Sequence, residues 1–328
     1  MLISIIIPIY NVETYIESCM SSIAKCKNLL NCIEIIVVND GTKDNSMDFV
    51  IRYSSVIPNL QIISQPNQGL SVARNTGLKH ANGKYVWFVD SDDSIVPESI
   101  NEIICLTNKI QDDVIAFNVC RHFENTGYED IELPINTDIP YTEYNKSFKF
   151  PERLGIFKKG LVQRYLFRRQ FLCQHKLMFL PGIWYEDDQF LVRLFCFCSS
   201  IYLSSITSYK YLVRSGGSIM STKSIKSITD SNSIINSWIA FLIENKLSFK
   251  QKQWVNANIF KYQYYILELR EQFKVDCKDI YIKPGILNIL SITIYYVKGY
   301  KFITTRQFIK SLILCIYPSL LNRNRENE

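Results

Sequence analysis

The chain has 328 residues, 47% of them hydrophobic and 21% charged, with only 12 Gly and 10 Pro. That composition supports a large core and more than one structural unit, and it excludes disordered, collagen-like and linker-rich chains. The net charge of +6 is uneven: residues 201–328 hold 18 Lys and Arg against 8 Asp and Glu, so the first 200 are acidic overall, which suits a phosphate-handling protein near an anionic surface, or simply lysine-rich solvated helix faces.

The N-terminal "LISIIIPIY" is apolar and β-branched and predicts a buried strand; it lacks the basic start and small-residue cleavage site of a signal peptide. A helix is predicted from about Val12, with Ile16, Met20 and Ile23 on one face and Asn11 as its N-cap. "IEIIVV" (33–38) is the next strand, followed by a helix around Asn45 to Ser54, and "LQIIS" is a third strand. "LSVARNTGLKHA" has helical spacing through Leu70, Ala73, Gly77 and Leu78. "YVWFV" (85–89) is a fourth strand, Pro97 opens a helix, and "DDVIAFNV" is a fifth strand. Residues 121–150 are polar with mixed strand and loop character, 182–198 turn into a helix, and 209–221 read as a strand running into a glycine loop. Beyond 225 the chain reads as helical, basic and aromatic.

Short apolar strands alternating with amphipathic helices predict an α/β fold with a parallel sheet covered on both faces. Ligands of such sheets bind beyond the carboxyl ends of the strands. Tyr10 and Asn11, Asn39 and Asp40, Gln65 and the acids at 90–93 should therefore converge. The ten cysteines form no CxxC pair and several lie in apolar stretches, so they read as small hydrophobes in a reducing compartment. Cys196 and Cys198, with only three histidines in the chain, give zinc little support. No run reaches the roughly 18 apolar residues of a membrane span; the longest, "GILNILSITIYYV" at 285–297, is too short.

Asp90, Asp92 and Asp93 follow a buried strand directly. Carboxylates this close raise one another's pKa unless a cation offsets them. A helix N-cap needs only one of them, whereas a hard divalent ion takes one or two and completes its shell with water and phosphate oxygens. Asp40 leaves a strand in an Asn-Asp-Gly turn and is either a turn former or an acceptor for a ligand N–H. Arg74 can offset phosphate charge, pair with an aspartate of the 90–93 cluster, or both. Glu186, Asp187 and Asp188 open an apolar helix. Asp187 shares a face with Leu191 and Leu194 and is placed to accept a proton from an alcohol held close by.

Together, "SIIIPIYN", "IIVVNDGTKDNS", "NQGLSVARNTGLKHANGKYVWFVDSDD", "WYEDDQF" and "YLVRSGGSI" resemble the glycosyltransferase family 2 proteins of bacterial cell-surface polysaccharide synthesis. The likeness runs in order from residue 1 to about 220. It implies a GT-A fold with a Rossmann-like, mostly parallel sheet flanked by helices: a nucleotide-sugar-binding half (1–120), an acceptor-binding and catalytic-base half (121–224) and a helical, basic C-terminal region (225–328). It implies inverting transfer from a nucleotide-diphosphate sugar, UDP-sugar favoured, to a hydroxyl of a saccharide or lipid-linked acceptor. By resemblance, Pro8, Ile9 and Tyr10 line the nucleobase pocket and Asp40 meets the base. Arg74 lies near the nucleotide, Asp90 near the ribose, and Asp92 binds Mg²⁺ or Mn²⁺ at the diphosphate. Asp187 is the base, and Arg214 and Ser218 sit by the donor phosphates. Glu186, Asp93 and Asp188 are supporting acids.

Residues 301–325 intersperse Phe302, Phe308, Ile309 and Leu312 with Lys301, Arg306 and Lys310. They read either as an interfacial helix on anionic lipid, placing a cytoplasmic protein peripherally on the inner face of the cell membrane, or as a helix packed on protein. Nucleic acid is not expected as a partner, because the basic residues show no aromatic platform. A nucleotidyltransferase would want a Gly-rich phosphate loop where "PIYNVETY" stands. A non-catalytic sugar-nucleotide-binding or assembly protein is the remaining alternative, and it gives no reason to keep both Asp92 and Asp187.

Overall fold

The computed structural model describes residues 1–131, 134–136, 138–141, 160–215 and 223–273. Ser218 and the 285–297 and 301–325 segments lie outside the described residues. The chain forms two compact units, Met1–Gly182 with Glu186–Ile219, and Ile183–Tyr185 with Met220–Glu328.

The first unit is built on one ten-stranded sheet. Its strands are β1 (Ile3–Ile9), β2 (Ile33–Asn39), β3 (Leu60–Ser64), β4 (Tyr85–Phe88), β5 (Ser94–Ile95), β6 (Val114–Phe123), β7 (Glu129–Ile131), β8 (Ile139–Tyr141), β9 (Tyr165–Arg168) and β10 (Ile201–Val213). Its helices are α1 (Ile16–Ala24), α2 (Ser46–Arg52), α3 (Leu70–His80), α4 (Ile100–Lys109), α5 (Arg169–Gln174) and α6 (Glu186–Phe197). The path is β3-β2-β1-β4-β9-β6-β10-β5, with β7 on β6 and β8 on β10. The first four strands pair in parallel, and so do β6 and β10. Between these groups β9 runs antiparallel to both β4 and β6. Every residue of β1 is buried, as an almost wholly apolar strand covered on both faces requires; the one polar residue, Ser4, gives its hydroxyl to Glu34.

The helix after β1 begins later than the sequence predicts. Asn11 is not its N-cap; it takes φ +53, and its N–H donates to Thr42 Oγ1. Val12 and Glu13 give their N–H groups to Ser46 Oγ and Asp44 Oδ2. Side chains of the β2–α2 loop and of the first residue of α2 thus satisfy the backbone of residues 11–13, and α1 starts at Ile16 with Tyr15 at its N-cap. Pro97 opens a 3₁₀ turn that leads into α4. Eight cysteines, Cys19, Cys26, Cys32, Cys105, Cys120, Cys173, Cys196 and Cys198, are free thiols.

Helix α3 lies close on β1 because Gly77 has no side chain. A Cβ there would collide with Cγ2 of Ile6, which is fully buried. Gly77→Ala is expected to cost a net ~1–2 kcal/mol despite alanine's better helix propensity. The readout is a lower urea midpoint at unchanged slope; a variant as stable as the parent would show that α3 can shift freely off β1.

In the second unit, α7 (Ile225–Glu244) and α8 (Phe249–Phe273) bury Ile234, Ile235, Trp238 and Trp254. Trp238 meets Tyr262 edge-on at 5.1 Å. Trp184 gives its N–H to Asp230 at 2.8 Å, and the Tyr185 and Tyr265 hydroxyls lie 3.0 Å apart. Among the described residues no helix is long and apolar enough to cross a membrane.

Candidate active site

The acidic turn is shaped by its own backbone and by β10. The Asp93 N–H closes onto the Asp90 carbonyl at 3.1 Å. Asp93 is 3% exposed; one of its oxygens accepts the Tyr209 hydroxyl and the other the Leu212 N–H, both at 2.7 Å. Tyr209 in turn accepts the Asp90 N–H at 3.1 Å. Asp93, which had no role of its own in the sequence, therefore ties the turn to β10. Burial, reinforced by Asp90, pushes its carboxyl up to about 8.

Arg74 is the centre of the site. It sits on α3, 1% exposed, and spans three carboxylates. Nη2 donates to Asp90, and Nη1 to both Glu186 and Asp187, each at 2.8 Å. Its guanidinium lies over Phe179, 5.2 Å from the ring centroid. The neighbouring Asn75 fixes that segment, exchanging two 2.8 Å hydrogen bonds with the Phe179 backbone. Arg74 thus joins the turn after β4 to the start of α6, bonding Asp90 and residues 96 and 97 positions further along the chain. Both sequence readings of Arg74 as a partner of the acids at 90–93 and as part of the site concern this one side chain.

Asp187 Oδ2 also accepts the Val162 N–H at 3.2 Å. Burial pushes the Asp187 carboxyl up to about 8; Arg74 pulls it back, and Glu186 and Asp90 push the same way as burial. Glu186 is raised as well, chiefly by burial. The three acids hold Arg74 protonated, its pKa raised despite burial. One buried cation among three carboxylates cannot balance all of them, which adds to the effect of burial on Glu186 and Asp187. Asp188 lies against Gly160, where a Cβ would have no room.

Gln163 completes this group and carried no motif signal. Its side-chain N–H donates to the second oxygen of Asp90, its backbone carbonyl accepts Trp87 Nε1–H at 2.7 Å, and its Oε1 is buried without a hydrogen-bond partner among the described residues. Asp40, 2% exposed, accepts from Gln65 Nε2, Gln68 N–H and Gly69 N–H at 2.7–2.9 Å. In this state its carboxylate shapes the loop that starts α3. Of the β1 residues, Tyr10 is 45% exposed, whereas Pro8 and Ile9 are buried.

Asp92 is 25% exposed and, among the described residues, is met by Arg214 alone. Oxygens of Asp90, Asp92 and Asp93 lie within 4.8 Å of one another. An all-carboxylate donor set fits a hard divalent cation such as Mg²⁺ or Mn²⁺. Since Asp93 is engaged by β10 and Asp90 by Arg74 and Gln163, Asp92 is the acid with most coordination capacity left.

The family model for Glycosyl transferase family 2 matches residues 4–171. The chain is 34% identical over 194 residues to the uncharacterized glycosyltransferase EpsJ of Bacillus subtilis, covering 57% of this chain and 54% of that one. It therefore aligns with little more than half the length of that relative. Its fold is shared with S. aureus TarS 1–349 in complex with UDP-GlcNAc (TM-score 0.63, 20% identity, 94% of this chain and 83% of that one). It is shared too with the mannosyltransferase PcManGT of Pyrobaculum calidifontis in complex with GDP-Man and Mn²⁺ (TM-score 0.52, 15% identity, 96% and 87%). These likenesses show the GT-A fold.

Proposed function

The chain belongs to glycosyltransferase family 2, and on that premise we propose that it transfers a sugar from a nucleoside-diphosphate donor, a UDP-sugar by preference, to a hydroxyl of a saccharide or lipid-linked saccharide in cell-surface polysaccharide synthesis, with inversion at the anomeric carbon. The observation that carries the reading is the placement of Asp187: Arg74 bonds it and Asp90 with opposite ends of one guanidinium, so a base and the acidic donor turn share a single rigid support.

Asp187 receives the proton of the acceptor hydroxyl as that oxygen attacks the anomeric carbon. Its Oδ1 and Oδ2 are fixed by Arg74 and Val162, which sets the direction from which the acceptor is deprotonated. Asp92, with Asp90 beside it, would hold Mg²⁺ or Mn²⁺, whose chemistry is to stabilise charge developing on the departing diphosphate. Arg214, next to Asp92, adds a cation to the same side. The UDP-GlcNAc in TarS and the GDP-Man and Mn²⁺ in PcManGT support a nucleotide-sugar donor and a metal ion here.

The test is a panel of UDP-, GDP- and TDP-sugars assayed for Mn²⁺-dependent hydrolysis and transfer. Asp92→Ala is expected to lower turnover of the best donor by about 100-fold or more. Unchanged turnover would remove Asp92 from the metal site, and a wild-type chain that binds a nucleotide sugar without ever turning it over would favour the non-catalytic binding protein.

A further inference from the structure

Tyr15 belongs to "PIYNVETY", the stretch after β1 that carries no phosphate-binding glycine, and the mechanism above gives it no part. Its ring lies beneath the Arg214 guanidinium, whose central carbon is 4.4 Å from the ring centroid. The same guanidinium pairs with Asp92. Three separate elements meet there: the N-cap of α1, the turn after β4 and the end of β10. The meeting is anchored from below, because Asp93 holds Leu212, two residues before Arg214, by its N–H. Arg214 and Asp92 are 23% and 25% exposed, so this is the open end of the acidic cluster.

We propose that Tyr15 is a positioning residue that keeps Arg214 at the metal carboxylate, and that Arg214 and the divalent ion compete for Asp92. The inference rests on the functional reading above. In the free chain, Arg214 supplies the positive charge that Asp92 needs. When a divalent ion takes Asp92, the guanidinium keeps its seat on the Tyr15 ring by cation–π attraction and turns its N–H groups to the nearest new anion, the donor diphosphate. A metal ion alone must displace Arg214 without giving it another partner. A metal ion arriving with a nucleoside diphosphate provides one. Metal and nucleotide therefore strengthen each other's binding, and by linkage each does so by the same factor. The arrangement favours loading of the complete metal–donor pair over the ion by itself.

The experiment measures Mn²⁺ binding by the electron paramagnetic resonance signal of the free ion, with and without UDP, and UDP binding by calorimetry with and without Mn²⁺. It uses the full chain and four proteins: wild type, Arg214→Gln, Tyr15→Leu and Tyr15→Phe. Thermal melting establishes that each is folded. Arg214→Gln is expected to bind Mn²⁺ alone about two- to fivefold more tightly than wild type, the range of a partly exposed ion pair, and to lose most of the mutual enhancement between Mn²⁺ and UDP. Tyr15→Leu is expected to move both quantities the same way, by about two- to fivefold. Tyr15→Phe keeps the ring face and is expected to match wild type. A role for Tyr15 in folding alone would lower the melting temperature and leave the enhancement intact.

A folded Tyr15→Leu with wild-type Mn²⁺ affinity and wild-type enhancement overturns the positioning role. An Arg214→Gln with unchanged Mn²⁺ affinity overturns the competition. Both results leave the functional reading standing. A wild-type chain that binds neither Mn²⁺ nor UDP overturns that reading first and this inference with it, and is recognisable because the failure is in the parent protein.

Discussion

Asp187→Asn is expected to lower the rate of sugar transfer by about 10²–10⁴-fold while donor affinity stays within about twofold of wild type. Asparagine keeps the shape and the hydrogen-bonding capacity toward Arg74 but cannot take a proton from the acceptor. The same substitution removes one of the three carboxylates that share the buried Arg74. Its stability is therefore expected to stay within about 1 kcal/mol of the parent, since relief of repulsion among the carboxylates offsets the loss of the Val162 hydrogen bond. Activity lost with stability held separates a base from a structural acid; near-normal turnover would refute the assignment. The pH profile makes a second check on the same residue. A base works ionised, and burial pushes the Asp187 carboxyl up to about 8. Turnover at saturating donor should thus climb as pH rises toward that value and level off above it. A turnover that falls over the same range would assign the rate to another group.

Arg74→Met is expected to be the most destabilising single change in the site, by about 3–5 kcal/mol above pH 8, where the acids ionise. It leaves Asp90, Glu186 and Asp187 facing one another with no buried cation, and Glu186 and Asp187 side chains are only 13% exposed. The sign of the pH dependence follows. Without Arg74 the folded-state pKa values of Glu186 and Asp187 rise further above their unfolded values. The variant is then closest to wild type where these acids are still protonated in the folded state, and the deficit grows as pH rises through the wild-type Asp187 value of about 8. Urea unfolding of both proteins between pH 6 and pH 10, which spans the Asp187 value of about 8, reads this directly. A deficit that is constant across that range would mean that Arg74 acts through packing on Phe179 rather than through charge.

Much of the fold could be read in advance because the signals are local. β1, β2 and β4 are apolar runs too short for helices, and α3 keeps its small residues on the side that meets β1. The acids at 90–93 and 186–188 were visible because like charges crowded at element ends ask for a cation. What escaped depends on contacts distant in sequence. β9 is four residues long and has no alternation to announce it. Gln163 is one amide in an ordinary stretch until Asp90 and Trp87 close on it. Asn11 has the chemistry of an N-cap, but the side chains of Thr42, Asp44 and Ser46 take over the backbone it would have opened. Asp93 differs from Asp92 by one position, and only β10 distinguishes their duties.

The antiparallel strand β9 also has a consequence for how the chain is made. β4 and β6 are each finished by residue 123, yet in the sheet they do not pair with one another; each presents an edge to β9. Until residues 165–168 leave the ribosome, the nascent protein carries two separate pieces of sheet, β3-β2-β1-β4 and the β6–β7 pair awaiting β10, with open hydrogen-bonding rims. Such rims invite pairing with the wrong chain, and joining them requires a late, long-range closure of the kind that slows folding. A fragment ending near residue 123 should therefore aggregate during expression, whereas its counterpart extended past residue 171 gains the strand that joins the halves.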